Sequence, residues 1–315
     1  MSQLHVSASP HFRAKENASY IMKMVLLALM PATIFGIFNQ GIRALAVVVV
    51  AMASCVIFET LMNKAMHRPN TINDCSALVT GLLLGINMPV TVPLWVVIVG
   101  AAFAICVAKM IFGGLGQNIV NPALAGRCFL VISFATYMTD FTGTSSLLVD
   151  AVSTATPLSL MKSGEIVSLW QCFIGTTGGT IGETSALLLI VGGLFLVWKK
   201  IIDVRIPLCY LGSFAVMIFL FGNQNFDLYY LLCQMCSGGL MLGAWFMATD
   251  YVTSPITPMG RVIFGLLLGV LTALFRINSV EGVSFAILFA NLLVPIIERY
   301  TRRRAFGIEK KKRGE

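Results

Sequence analysis

Charge is the scarcest property of this sequence: 11% of its 315 residues are Asp, Glu, Lys or Arg, where a soluble globular domain carries about a quarter. With 57% of the side chains hydrophobic, no interior this chain can build would hide them from water, so a water-soluble protein is excluded. A disulfide framework is missing too, because the eight cysteines are scattered and nearly all lie inside apolar runs. Cys233-Gln-Met-Cys236 has redox spacing, but it sits within apolar Leu231–Met241 without a second pair or a histidine nearby. It reads as small buried hydrophobes. Ser2–Ser19 is polar and has no apolar run with a cleavage site, so no signal peptide is expected. No P-loop, soluble nucleotide-binding domain or iron–sulfur cysteine pattern is present.

Long apolar runs are plentiful. They recur at the length of roughly 17–25 residues that crosses a bilayer core of ~30 Å, and the expected fold is an all-α polytopic membrane protein. Spans are expected at about 20–38, 42–62, 75–88, 94–112 and from about 117, then at 185–200, 206–222, 228–248, 259–276 and 282–298. The organisation expected is a lead-in (1–19), a first five-helix repeat (20–135), a polar segment (136–184), a second five-helix repeat (185–298) and a basic tail (299–315). Sliding the chain by 165 residues lays Pro93-Leu-Trp-Val-Val97-Ile98-Val-Gly100 on Pro258-Met-Gly-Arg-Val262-Ile263-Phe-Gly265 and aligns the span positions. Five spans per copy make the second copy enter from the opposite side, an inverted repeat whose broken helices meet near the midplane.

The net charge of +8 suggests nucleic acid until its placement is examined. Arg13, Lys15, Lys64, Arg68, Lys109, Lys199, Lys200, Arg205, Arg261 and the basic tail fall on one side of this topology, and Arg43, Lys162 and Arg276 on the other. That asymmetry predicts both termini in the cytoplasm, with basic clusters meeting lipid headgroups rather than nucleic acid. The polar segment is then extracytoplasmic.

Within that segment lies Asp150-Ala151-Val152-Ser153-Thr154-Ala155-Thr156-Pro157. Taken alone, Thr156 before Pro157 is a helix N-cap followed by the residue favoured at N1, and such a helix end also suits a phosphate. Together with Asn121-Pro122-Ala-Leu-Ala-Gly-Arg127 and Ala248-Thr-Asp250-Tyr-Val-Thr253-Ser-Pro255, it gives a chain that resembles, from about 20 to 300, a family of membrane subunits. That family includes the D subunit of the Rnf ferredoxin–NAD oxidoreductase and the B subunit of the sodium-pumping quinone reductase. The resemblance implies a urea-transporter-like fold and an attachment motif Asp-x-x-Ser/Thr-Gly-Ala-Thr, here Asp150, Ser153, Ala155 and Thr156, with FMN held on Thr156 through a phosphoester. Thr154 replaces the usual glycine. Little chain precedes the first span, which is closer to the Rnf subunit; the quinone-reductase subunit and a solute channel without redox role are the alternatives.

An electron relay needs its cofactor fixed, because tunnelling falls steeply with distance, and the protein's part is to position and tune it. Asn121, Pro122, Asp250 and Thr253 mark matching helix breaks that can hold a second, non-covalent flavin such as riboflavin or line an ion path; capping by Asn, Asp and Thr explains them equally. Glu59 is an acid close to hydrocarbon, either functional or snorkelling to the interface. The resemblance implies partners: other membrane subunits, an extracytoplasmic covalent-FMN flavoprotein, and cytoplasmic subunits that react with NAD and ferredoxin. It also implies residence in a bacterial or archaeal cytoplasmic membrane.

Overall fold

The computed structural model describes residues 17–69, 71–141, 156–165, 167–183, 185–222, 226–278 and 282–302. Asp150, Ser153, Thr154 and Ala155 lie outside the described residues, as do Arg13, Lys15 and most of the basic tail.

Among the described residues every regular element is helical, as hydrocarbon demands of a backbone that must satisfy its own hydrogen bonds. The first half holds α1 (Ala18–Gln40), α2 (Ile42–Ala65), α3 (Ser76–Ile86), α4 (Leu94–Ala102, continued by a π-helical stretch Phe103–Met110), α5 (Pro122–Ser133) and α6 (Ala135–Met138). Two short helices follow, α7 (Pro157–Lys162) and α8 (Leu169–Ile174). The second half holds α9 (Ala186–Trp198), α10 (Arg205–Phe221), α11 (Leu228–Cys236), α12 (Leu240–Leu242, continued by a π-helical stretch Gly243–Met247), α13 (Pro258–Asn278) and α14 (Val283–Thr301).

Four of these, α1, α2, α13 and α14, are long and apolar enough to cross a membrane, and α11 with α12 makes a fifth candidate bent by 64°. The helical segments of α3, α4, α5, α9 and α10 are apolar but shorter, at 10–17 residues. Two expectations change here. The run 228–248 is not one rod, because Gly238 and Gly239 both take left-handed conformations (φ +67° and +65°) between α11 and α12. The fifth apolar helix starts at Pro122 rather than near Gln117, with Asn121 as its cap; Pro has no N–H to lose at N1.

Small residues set the closest helix contacts. Gly81-Leu-Leu-Leu-Gly85 of α3 lies on α2, where a Cβ on Gly81 would come within 2.6 Å of the Met52 Cα. Gly265-Leu-Leu-Leu-Gly269 of α13 lies on α10, and a Cβ on Gly269 would reach the Tyr210 carbonyl at 2.5 Å. With no hydrophobic drive between helices in lipid, such small-xxx-small surfaces let backbones approach.

Arg276 holds the break between α11 and α12. It is 7% exposed, and its Nη atoms donate to the carbonyls of Gln234 (2.6 Å), Ser237 (2.7 Å) and Gly238 (2.8 Å). These are among the carbonyls that a helix end leaves without intrahelical donors. Arg276→Met should lower stability by about 3 kcal/mol, the cost of buried acceptors losing a charged donor. Arg276→Lys should recover only part, since an ammonium cannot fork between them; melting in detergent measures both.

Outside the apolar segments, Asp203 ties the α9–α10 loop to α13 by accepting from Arg261 Nη1 at 2.6 Å. Burial pulls its carboxyl upward, but the Arg205 backbone N–H and the Arg261 guanidinium outweigh this and hold it below the ordinary aspartate value. A lowered pKa contributes stability present above the unfolded-state value and lost as pH falls through the folded-state value. Wild type should therefore melt above Asp203→Asn near neutrality, and the two should converge as the pH drops through and below the aspartate range.

Candidate functional site

Two recesses open at opposite ends of the helix bundle. One lies where α1 ends: Asn39 and Gln40 donate to the carbonyls of Gly175 and Gly179, and Gly179 lines a cleft with Thr156, Arg127, Glu183, Cys236 and Ser284. The other lies where α1 begins, lined by Met22, Lys109, Asn121, Pro122 and Asp250 among others. Helix α5 reaches both, with Asn121 at one and Arg127 at the other, about 9 Å apart along the axis at 1.5 Å per residue.

Thr156 is half-buried and caps α7 as its local sequence predicts. Its Oγ1 accepts from the Ser159 N–H at 3.4 Å, and its carbonyl accepts from Ser159 Oγ at 2.7 Å. The hydroxyl also donates to Ser159 Oγ at 3.3 Å, and Thr156 lines the cleft. Across the cleft Arg127 is 6% exposed; it donates through Nη1 to Asn87 Oδ1 at 2.7 Å and stands 3.7 Å from Glu183 Oε1. The backbone N–H groups of Thr177, Gly178 and Gly179, in the same wall, donate to no backbone carbonyl among the described residues. A threonine that shares its cleft with a buried guanidinium and with backbone amides is a set that fits a phosphoester, the guanidinium and amides being the donors.

In the second recess the two helix breaks marked in the sequence touch. Asn121 caps α5 by accepting from the Ala123 N–H at 3.1 Å and donates to the Met247 carbonyl at 3.3 Å. Asn291 of α14, with its amide turned to satisfy both neighbours, donates to the Thr253 carbonyl and accepts from the Asn121 N–H, each at 3.2 Å. Asp250 Oδ2 accepts from Thr253 Oγ1 at 3.1 Å. Asn121 therefore caps a helix, whereas Asp250 and Thr253 bond each other in the turn before α13, whose first N–H groups meet Thr257. Asn121, Pro122 and Asp250 share one recess.

Glu59 does not snorkel. It is 2% exposed and accepts from Lys109 Nζ and from Thr71 Oγ1, each at 2.5 Å, while Lys109 also donates to Ser76 Oγ at 2.8 Å. Lys109 therefore does not belong with the surface charges that orient the chain, and neither does buried Arg276. Cys233 is buried, and no cluster of His, Cys, Asp or Glu among the described residues is arranged for a metal. Arg127, Glu183, Asn87, Lys109 and Asn291 were not singled out from sequence as site residues. The signal available was an ionisable or amide side chain in or beside an apolar run.

Apolar spans, broken helices meeting inside the bundle and buried ion pairs define a multi-pass helical membrane protein. More narrowly, the chain belongs to the NQR2, RnfD, RnfE family, whose model matches residues 5–307. It is 44% identical over 318 residues to the D subunit of the Na(+)-translocating ferredoxin:NAD(+) oxidoreductase complex of Acetobacterium woodii, covering 98% of this chain and 97% of the relative. It is 42% identical to the D subunit of the proton-translocating ferredoxin:NAD(+) oxidoreductase complex of Clostridium ljungdahlii, with 96% of each covered. The D subunit of the ion-translocating oxidoreductase complex of Escherichia coli is 34% identical, with 97% and 99% covered.

Proposed function

We propose that this chain is the D subunit of an Rnf-type ion-translocating ferredoxin–NAD oxidoreductase complex, and that it carries FMN esterified to Thr156 as an electron relay on the extracytoplasmic side. The observation that carries the cofactor reading is the cleft that Thr156 lines together with buried Arg127 and with Thr177, Gly178 and Gly179. The flavin supplies the electron-transfer chemistry when bound. The protein's own part is to fix it through Thr156, to set Arg127, held by Asn87 and Glu183, against its phosphate, and to keep Asp150, Ser153 and Ala155 as the motif read by an attaching transferase.

In this reading the ten apolar segments form two inverted five-helix repeats, 20–135 and 185–298, in a urea-transporter-like arrangement, with 136–184 extracytoplasmic and both termini in the cytoplasm. The starts of α1 and α9, α2 and α10, α3 and α12, α4 and α13, and α5 and α14 all fall within about four residues of the 165-residue offset, which supports it. Left-handed caps before α3 (Cys75, φ 57°) and before α12 (Gly239, φ 65°) support it further. The recess lined by Asn121, Pro122 and Asp250 leaves room of about 80 Å³, below the roughly 300–1,000 Å³ of sites that enclose ring-bearing molecules, so of the two readings it suits an ion path better than a second, non-covalent flavin. Electrons come and go through partner subunits, so the isolated chain turns nothing over.

Peptide mass spectrometry of the 150–162 segment tests the cofactor. Chain made in a host with the attaching transferase should carry an FMN-sized increment and a fluorescent band through denaturing electrophoresis. No increment from such a host overturns the flavin reading.

A further inference from the structure

We propose that Glu183 stands in for the flavin's phosphate: its carboxylate balances Arg127 until FMN is attached, and the phosphate then takes over that task. The proposal rests on the covalent-flavin reading and adds to it the residue that keeps the cleft ready.

Charge is the first ground. Among the described residues lining the Thr156 cleft, Arg127 and Glu183 are the charged ones. They stand 3.7 Å apart, Nη2 to Oε1, with side chains 7% and 14% exposed. A guanidinium taken this far out of water needs an anion, because a lone buried charge is strongly destabilising. An esterified phosphate brings another negative charge to the same guanidinium. Carboxylate and phosphate meet a guanidinium through the same paired N–H geometry, so one can replace the other.

Room is the second ground. The cleft leaves about 50 Å³, enough for roughly four waters at ~10–15 Å³ each. A phosphate ester placed there fills the space and touches its walls. No hydration layer then separates two anions, and like charges repel with little screening.

The surroundings give Glu183 a second place. Its backbone is pinned, because Ile181 and Gly182 donate to the Met88 and Ile86 carbonyls at 3.2 and 2.6 Å. Only the side chain is left to turn. The carboxylate already lies against Gly239, where a Cβ would come within 2.8 Å of Oε1. Arg276 interacts with Glu183 electrostatically, and its buried Nε has no hydrogen-bond partner among the described residues. With the phosphate on Arg127, Glu183 shifts toward Arg276, and two cations face two anions. Asn87 keeps its 2.7 Å bond to Arg127 Nη1 in both states; the Nη2 side changes partner.

The test compares the full chain made with and without the attaching transferase, with the FMN increment at Thr156 verified first by peptide mass. Glu183→Gln keeps the shape and removes the charge. In the flavin-free chain it should lower the melting temperature by several degrees, since Arg127 loses its anion. In the flavin-bearing chain it should cost much less, so attachment stabilises the variant more than it stabilises wild type. An equal cost in both forms overturns the proposal, because a purely structural carboxylate would be missed alike. Should Glu183→Gln not accumulate, Glu183→Asp, which draws the carboxylate back by one carbon, should show the same difference. A second measurement needs no flavin. Inorganic phosphate at fixed ionic strength should raise the melting temperature of the flavin-free variant, as a ligand of the folded state does, and leave wild type nearly unmoved. An equal response of the two chains also overturns the proposal. A missing FMN increment ends the parent reading instead, and the phosphate comparison then decides whether Glu183 holds an anion's place.

Discussion

Thr156→Ala should lose covalent flavin completely while the membrane fold survives. The ester needs a hydroxyl at this position, and alanine has none. The fold needs much less from it: Thr156 contributes a cap to a six-residue helix, and losing such a cap costs about 1 kcal/mol. Pro157 stays at N1 and keeps the entry to α7 set. The fluorescent band should vanish while yield and elution in detergent stay close to wild type. Neighbouring hydroxyls sharpen the experiment. Thr154→Gly restores the usual motif and should keep the flavin, and Ser153→Ala should reduce attachment at most. An FMN increment found on Ser153 or Thr154 would move the site.

Removing Lys109 alone should be among the most damaging single changes. Glu59 and Lys109 are joined at 2.5 Å with side chains 2% and 3% exposed, and breaking such a pair leaves a buried charge without its partner, at about 3–5 kcal/mol. Lys109→Met should therefore lower the melting temperature sharply or stop the chain accumulating in the membrane. The double variant Glu59→Leu with Lys109→Met removes both charges and should recover most of the loss, because replacing a whole buried pair by apolar residues is often close to neutral. The comparison isolates the pair: a double variant as unstable as the single would mean that Thr71 and Ser76, which bond Glu59 and Lys109, matter more than the ion pair.

What could be read ahead of the structure was the one-dimensional part. The turn at Gly41 and the cap at Thr156 depend on neighbours in sequence, and they fell where expected. Of the ten expected spans, four are helices long enough to cross a membrane and a fifth is a bent pair. The break in 228–248 was readable in principle from Ser237-Gly238-Gly239, but hydrophobicity on either side masked it. The π-helical stretches at Phe103–Met110 and Gly243–Met247 had no such signal, since one extra residue per turn scarcely changes an all-apolar pattern. Contacts between distant segments were not legible. Glu59 was visible as an anomaly, but its partner is fifty residues away in sequence. Arg127 stood in a conspicuous motif, while its partner Glu183 lay in a polar stretch with no periodicity to place it.

A ribosome delivers this chain to the membrane one apolar run at a time, and α3 is an awkward passenger. At 11 residues it falls well short of the roughly 20 that insert stably by themselves. Its trailing end is finished by segments made much later: the Ile86 carbonyl accepts from the Gly182 N–H at 2.6 Å and the Met88 carbonyl from the Ile181 N–H at 3.2 Å. Until translation passes residue 182, those carbonyls have no protein donor from this loop, and the first half of the molecule waits half-built. The first half is therefore not finished before the second begins, and a chain ended before residue 181 should be less stable than the same helices in the full protein.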